Sequence, residues 1–286
     1  MKRTLFQRIL PTLIALLFLS ACSIKTVYNN LDWVLEGMVD DYVELTETQE
    51  TDVEQHVAFI MKWHRETQLT LYVEDLKQIK EFTRQGLDGA STEIIFSTLL
   101  KRWEGLKGQL APNMADVLLT LSQTQIKEFF VRLEEKNKER VEEYAETSDE
   151  EKNVKSGETL ISNFEDWVGT LNTEQEQILK SWPQRFKSVH KDHMVFRKKW
   201  QAALRRVLEE DSTKEVKREK LLAMILSPEK YQTDEHKLKL DYNTKQIKEM
   251  VLTFDQSVTS EQKAHLTKEF DYYITNFEEL IAEAEK

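Results

Sequence analysis

The sequence predicts an all-α fold, an elongated helical bundle of long amphipathic helices tethered by a lipid at its N-terminus. Three observations carry that reading. Seven Gly and four Pro in 286 residues are few for a β-rich or loop-rich chain. Charged residues make up 32% of the sequence, which suits long exposed helical faces. Apolar residues recur at steps of three and four through most of the chain after residue 25, each run opened by a helix-capping signal.

The chain opens with Lys2, Arg3 and Arg8 and no acid, followed by an eleven-residue stretch from Ile9 to Leu19 that is apolar apart from Pro11 and Thr12, then Ser20-Ala21. These are the three regions of an export signal, and the stretch is well short of the roughly 20 residues that span a bilayer as a helix. Residues 1–21 are therefore expected to be a cleaved signal peptide and residues 22–286 a helical periplasmic domain. Leu19-Ser20-Ala21-Cys22 resembles the bacterial lipobox, which implies a diacylglycerol on the Cys22 thiol and an N-acyl chain on the new amino terminus. Each buried methylene contributes about 0.8 kcal/mol, so two or three acyl chains hold such a protein on a membrane without a transmembrane helix. By the same resemblance Ser23, where an Asp would favour the inner membrane, directs the protein to the periplasmic face of the outer membrane.

Without residues 1–21 the chain has 37 basic residues against 51 acidic ones, a net charge of −14. That balance argues against nucleic acid and against electrostatic adhesion to anionic lipid. With Cys22 acylated no thiol remains for a disulfide.

Residues 26–43 read as a short amphipathic helix through Leu31, Val34, Leu35, Met38, Val39 and Tyr42. Thr46 with Gln49 is a capping box opening a helix of about forty residues, roughly 60 Å long, to Gln85, with a stripe of Val53, Val57, Ile60, His64, Tyr72, Leu76 and Ile79. Gly86 and Gly89 end it. Ser91 or Thr92 opens the next helix, with Ile95, Leu99, Arg102 or Trp103, Leu106 and Leu110 on one side until Pro112 interrupts it. Ser122 and Gln125 form a second box ahead of Ile126, Phe129, Phe130 and Leu133, and a charge-rich stretch follows. A hinge is expected near 148–157. Leu160 to Leu171 makes a brief apolar helix ending near Gly169. Asn172 and Gln175 open a helix through Ile178, Trp182, Phe186, Val189, His193, Phe196, Trp200, Leu204 and Val207, kinked at Pro183. Ser212 with Glu215 caps a short helix, and Ser227-Pro228 starts the next. Thr259 with Gln262 opens the last, which buries Leu266, Phe270, Tyr273, Phe277, Leu280 or Ile281, and Ala284.

Four segments thus share one form, apolar, capping residue, two variable residues, Gln: Leu45–Gln49, Leu121–Gln125, Leu171–Gln175 and Val258–Gln262. Their starts lie 76, 50 and 87 residues apart, so they are not a fixed-period solenoid. Any helix start favours such a box. The pattern also resembles the Leu-Thr-x-x-Gln repeats of small periplasmic stress chaperones, which implies a helical cradle for unfolded or partner chains. More broadly, the lipobox, Tyr28-Asn29-Asn30-Leu31-Asp32-Trp33, Leu45-Thr46-x-x-Gln49 and Trp63-His64-Arg65 are together similar to a family of uncharacterised proteobacterial lipoproteins, domain of unknown function 6279. That resemblance implies anchoring and helicity and no particular activity.

Candidate chemistry is sparse. Trp63-His64-Arg65-Glu66 is the densest cluster, yet successive helical residues point 100° apart, so a core His64 and an ion-paired Arg65 are the expected roles. His190 and His193 share a helix face at metal-ligand spacing but lack a third ligand, and no metal or cofactor is expected. Trp33, Trp63, Trp103, Trp167, Trp182 and Trp200 sit at core spacing. No nucleophile elbow, phosphate-cradling loop or zincin pair occurs. The expected function is that of a non-catalytic, membrane-anchored envelope lipoprotein that binds a protein partner, chaperone-like or accessory to assembly. The alternatives are a cell-wall-active enzyme with convergent carboxylates and a passive envelope spacer.

Overall fold

A computed structural model describes residues 24–284; Cys22 and the signal segment lie outside these residues. Among the described residues there are helices and no strands. The helices are α1 (Ile24–Tyr28), α2 (Leu31–Asp40), α3 (Glu47–Trp63), α4 (Leu69–Gln85), α5 (Gly89–Leu118), α6 (Gln123–Ala145), α7 (Asp149–Val168), α8 (Thr173–Ser181), α9 (His190–Glu209), α10 (Lys214–Leu226), α11 (Asp234–Asp255) and α12 (Ser260–Ala284). They pack as an elongated bundle.

The forty-residue helix forms as α3 and α4 joined by a π turn at His64–Gln68, where the Leu69 N–H donates to the His64 carbonyl. One extra residue in that turn rotates the buried stripe from Val53, Val57 and Ile60 to Leu69, Val73 and Leu76. Gly86 ends α4 at φ 93°, a conformation that favours glycine. The chain then returns along α5.

Apolar burial divides into neighbouring clusters. One gathers Ala111 and Ala115 of α5, Ile126 and Phe130 of α6, Leu204 and Leu208 of α9, and Leu221 and Met224 of α10. A second joins Val73 and Leu76 of α4 to Phe270, Tyr273 and Ile274 of α12. A third sets Val168, Leu179 and Trp182 against Met250 and Phe254 of α11. The antiparallel partner of α4 is therefore the last helix of the chain. Lys77–Glu278 and Lys80–Asp271 ion pairs flank that seam at 2.7 and 2.6 Å.

Several sequence expectations are corrected. Residues 26–43 form two helices, and no residue of α2 is buried. The cap of α5 is Asp88, whose carboxylate accepts from the Ser91 N–H at 2.7 Å while the Ser91 hydroxyl accepts from the Asp88 N–H. Pro112 does not interrupt α5, which runs unbroken from Gly89 to Leu118; beside the proline the Asn113 amide donates to the Gln109 carbonyl at 2.9 Å. At 148–157 the chain is helical, because Ser148 caps α7 in a box with Glu151 and the break is confined to residues 146–148. Gly157 instead marks close packing, since a Cβ there would lie 3.2 Å from the Lys180 Cα. Pro183 ends α8 in a 3-10 turn at Trp182–Arg185 rather than kinking one long helix. Thr213, not Ser212, caps α10, and a 3-10 turn at Pro228–Tyr231 precedes α11, which Thr233 caps.

Candidate functional site

The four boxes meet in pairs. The Gln49 amide donates to the Gln125 Oε1 at 3.2 Å and receives a bond from the Gln125 Nε2 at 2.6 Å. Gln175 and Gln262 form the same reciprocal pair at 2.7 and 2.9 Å. Each glutamine accepts from its own N-cap N–H, and each donates to the carbonyl two residues ahead of its partner's cap: Thr120, Glu44, Ser257 and Thr170. All four are buried, Gln175 completely. A buried amide left without partners costs about 1–3 kcal/mol, so the fully bonded square turns a polar liability into a geometric lock.

The first lock ties the start of α3 to the α5–α6 turn, and the second ties the α7–α8 turn to the α11–α12 turn. At the far tip of the α4–α5 hairpin the Leu87 N–H donates to Asp255 Oδ2 at 2.8 Å, two residues before Ser257. The hairpin is thus fixed at both ends.

Between these fixed ends the first half of α5 leaves apolar surface uncovered. Phe96, Leu99, Leu100 and Trp103 lie at i, i+3, i+4 and i+7 and belong to none of the apolar clusters of the described residues. Leu99 is 46% and Leu100 60% exposed. Arg102 grips Asp75 of α4 with two bonds of 2.6 and 2.9 Å on one side. On the other, Lys248 of α11 pairs with Glu93 and lies 5.3 Å from the Phe96 ring centroid. The stripe is held open between α4 and α11.

His64 sits at the π turn, 2.9 Å from the Tyr28 hydroxyl and edge-on to Tyr72. Burial pushes its pKa down to about 4. Arg65 binds Asn29 at 2.5 Å and lies over the Tyr28 ring, so it pairs with an amide and an aromatic rather than an acid. His190 stacks on Tyr144 at 3.6 Å, whereas His193 turns toward His236, which the sequence reading overlooked. No group of three His, Cys, Asp or Glu among the described residues is arranged to hold a metal ion. Trp182 is buried and donates to the Gln246 carbonyl, but Trp33 is 75% exposed, contrary to the core role expected of it. Glu36, Asp40, Glu50 and Glu54 line a cavity of about 140 Å³ between α2 and α3.

Capped, paired helical hairpins with an apolar stripe along the first half of α5 make this an all-α helical bundle. The model of a family of unknown function, DUF6279, matches residues 41–237, and the chain belongs to that family. No curated protein matches the chain, and no solved structure does.

Proposed function

We propose that the protein is an outer-membrane lipoprotein that faces the periplasm and binds an amphipathic helix of an envelope protein along the open face of α5. The observation that carries this reading is the stripe Phe96–Leu99–Leu100–Trp103, whose spacing is that of a helix-in-groove contact. The two glutamine locks support it, because they fix the turns at the ends of the helices while none of their residues lies on that face. Anchoring at Cys22 rests on the lipobox. Ile24 is already buried, so a lipid there keeps the body within about 7 Å of chain from the membrane. No helix among the described residues is long and apolar enough to cross a membrane.

The acidic cavity favours a second reading, a cell-wall-active enzyme, because burial and neighbouring carboxylates raise the Glu36 pKa. Its volume of about 140 Å³ is well under the roughly 300 Å³ at which small-molecule pockets begin, which makes it the weaker one. Crosslinking in intact cells, followed by mass spectrometry, separates the two. One envelope protein enriched with the native chain and lost in both Cys22→Ala and Leu99→Lys/Leu100→Lys supports the first. Undiminished enrichment in the stripe variant, or turnover of peptidoglycan fragments abolished by Glu36→Gln, contradicts it.

A further inference from the structure

The helices nearest Cys22 carry apolar surface that the protein does not cover. α2 holds Leu31, Trp33, Val34, Leu35, Met38 and Val39, yet none of its residues is buried. Leu31, Leu35, Met38 and Val39 share the face at i, i+4, i+7 and i+8 and are half-buried, with α3 alongside. Trp33, Val34 and Gly37 lie on the other side and are exposed, and no atom stands within 4 Å of where a Gly37 Cβ would be. A helix apolar on both faces calls for cover on both. The residues leading to it, Thr26, Asn29 and Asn30, are exposed but uncharged.

Charge is scarce along this stretch, in a chain that is 32% charged: between Lys25 and Glu36 the single charged residue is Asp32. Its carboxylate turns back to accept from the Trp33 N–H at 2.9 Å. Lys25 pairs with Glu279 and Glu283, and Arg65 donates to Asn29. Acid returns at the far end of α2 with Asp40 and with Asp41, which pairs with Lys136 of α6. We propose that Trp33 and Val34 enter the interface of the bilayer that holds the Cys22 lipid and lay α2 along the membrane, an inference that rests on that anchoring. Cys22 stands two residues before Ile24. With a helical rise of about 1.5 Å per residue and an extended turn at Asn29 and Asn30, Trp33 lies within roughly 20 Å of Ile24. Indole suits the interface because its apolar body meets acyl carbon while its N–H stays among headgroups. With no cation on this face the contact is apolar, so it is indifferent to salt and needs no anionic lipid.

The test uses the full-length acylated protein in phosphatidylcholine vesicles whose acyl chains carry bromine, a short-range quencher of tryptophan. Recovery of the native chain with the vesicles, lost in Cys22→Ala, reads the anchor by itself. The expected result is that the fraction of tryptophan emission quenched by bromine falls at least twofold in Trp33→Phe, at low and high salt alike. Val34→Asp, which keeps the indole, should lower the quenched fraction as well. Trp33 belongs to none of the apolar clusters of the described residues, so its replacement leaves the core intact. A native chain that sediments with the vesicles but is quenched no more than Trp33→Phe overturns the inference and leaves the anchor standing. A native chain that does not sediment overturns both. Absent quenching, with capture of an envelope protein by a photocrosslinker placed at Trp33, gives the face to a protein partner and overturns the inference too.

Discussion

At the residue scale the buried glutamines and histidines set testable limits. Gln175 makes bonds to its own cap, to Gln262 and to the Ser257 carbonyl, so Gln175→Ala leaves several buried groups unpaired and should cost about 2–4 kcal/mol in urea unfolding. A double-mutant cycle of Gln175→Ala with Gln262→Ala should show a coupling of about 1 kcal/mol or more. A coupling near zero would mean that the pair is incidental to the caps. The histidines predict a pH window. Burial holds the pKa values of His64 and His193 down to about 4, against about 6.5 in an unfolded chain. Between those values the unfolded state binds protons that the folded state refuses. Stability is therefore full above pH 6.5, falls as pH drops toward 4, and loses nothing more from these groups below that. The ceiling is about 3 kcal/mol per histidine. His64→Gln should flatten part of that slope in denaturant titrations at pH 7 and pH 5; an unchanged slope would contradict the buried-neutral assignment.

At the scale of elements, much of the chain was legible because its punctuation is local. Thr46, Ser122, Asn172 and Thr259 each announce a helix through a glutamine three residues on, and each one caps as expected. The cap at Asp88 escaped because the roles are exchanged there, an acid accepting and a serine returning the bond. The pairing of the boxes was not legible either, since partners 76 and 87 residues apart meet only through tertiary packing. Pro112 misled for a related reason. Proline disfavours a helix interior by about 3 kcal/mol in isolation, but packing of Ala111, Asn113 and Ala115 overrides it. Pro112→Ala restores the donor for the Gly108 carbonyl and should stabilise the fold by about 1–3 kcal/mol in thermal or urea unfolding. A loss of stability would show that the proline shapes α5 to its seat on α10.

At the scale of the whole molecule, the chain closes on itself by laying α12 along α4 and pinning the α4–α5 tip to Asp255. That closure buries most apolar stripes of the helices and leaves Leu99 and Leu100 on the first half of α5 exposed, between the half-buried rings of Phe96 and Trp103. The sequence showed an amphipathic run there, but periodicity alone does not tell a face that finds a neighbour from one that does not. The most direct measurement of the central claim is photocrosslinking in intact cells from a benzoyl-phenylalanine placed at Leu99 or Leu100, compared with one at Val131. Val131 is comparably apolar and 56% exposed but lies on α6, away from the stripe. A discrete crosslinked protein from Leu99 and Leu100, absent from Val131, is the predicted result. Equal labelling from all three positions, or none from the stripe, would contradict the assignment of α5 as the partner-binding face.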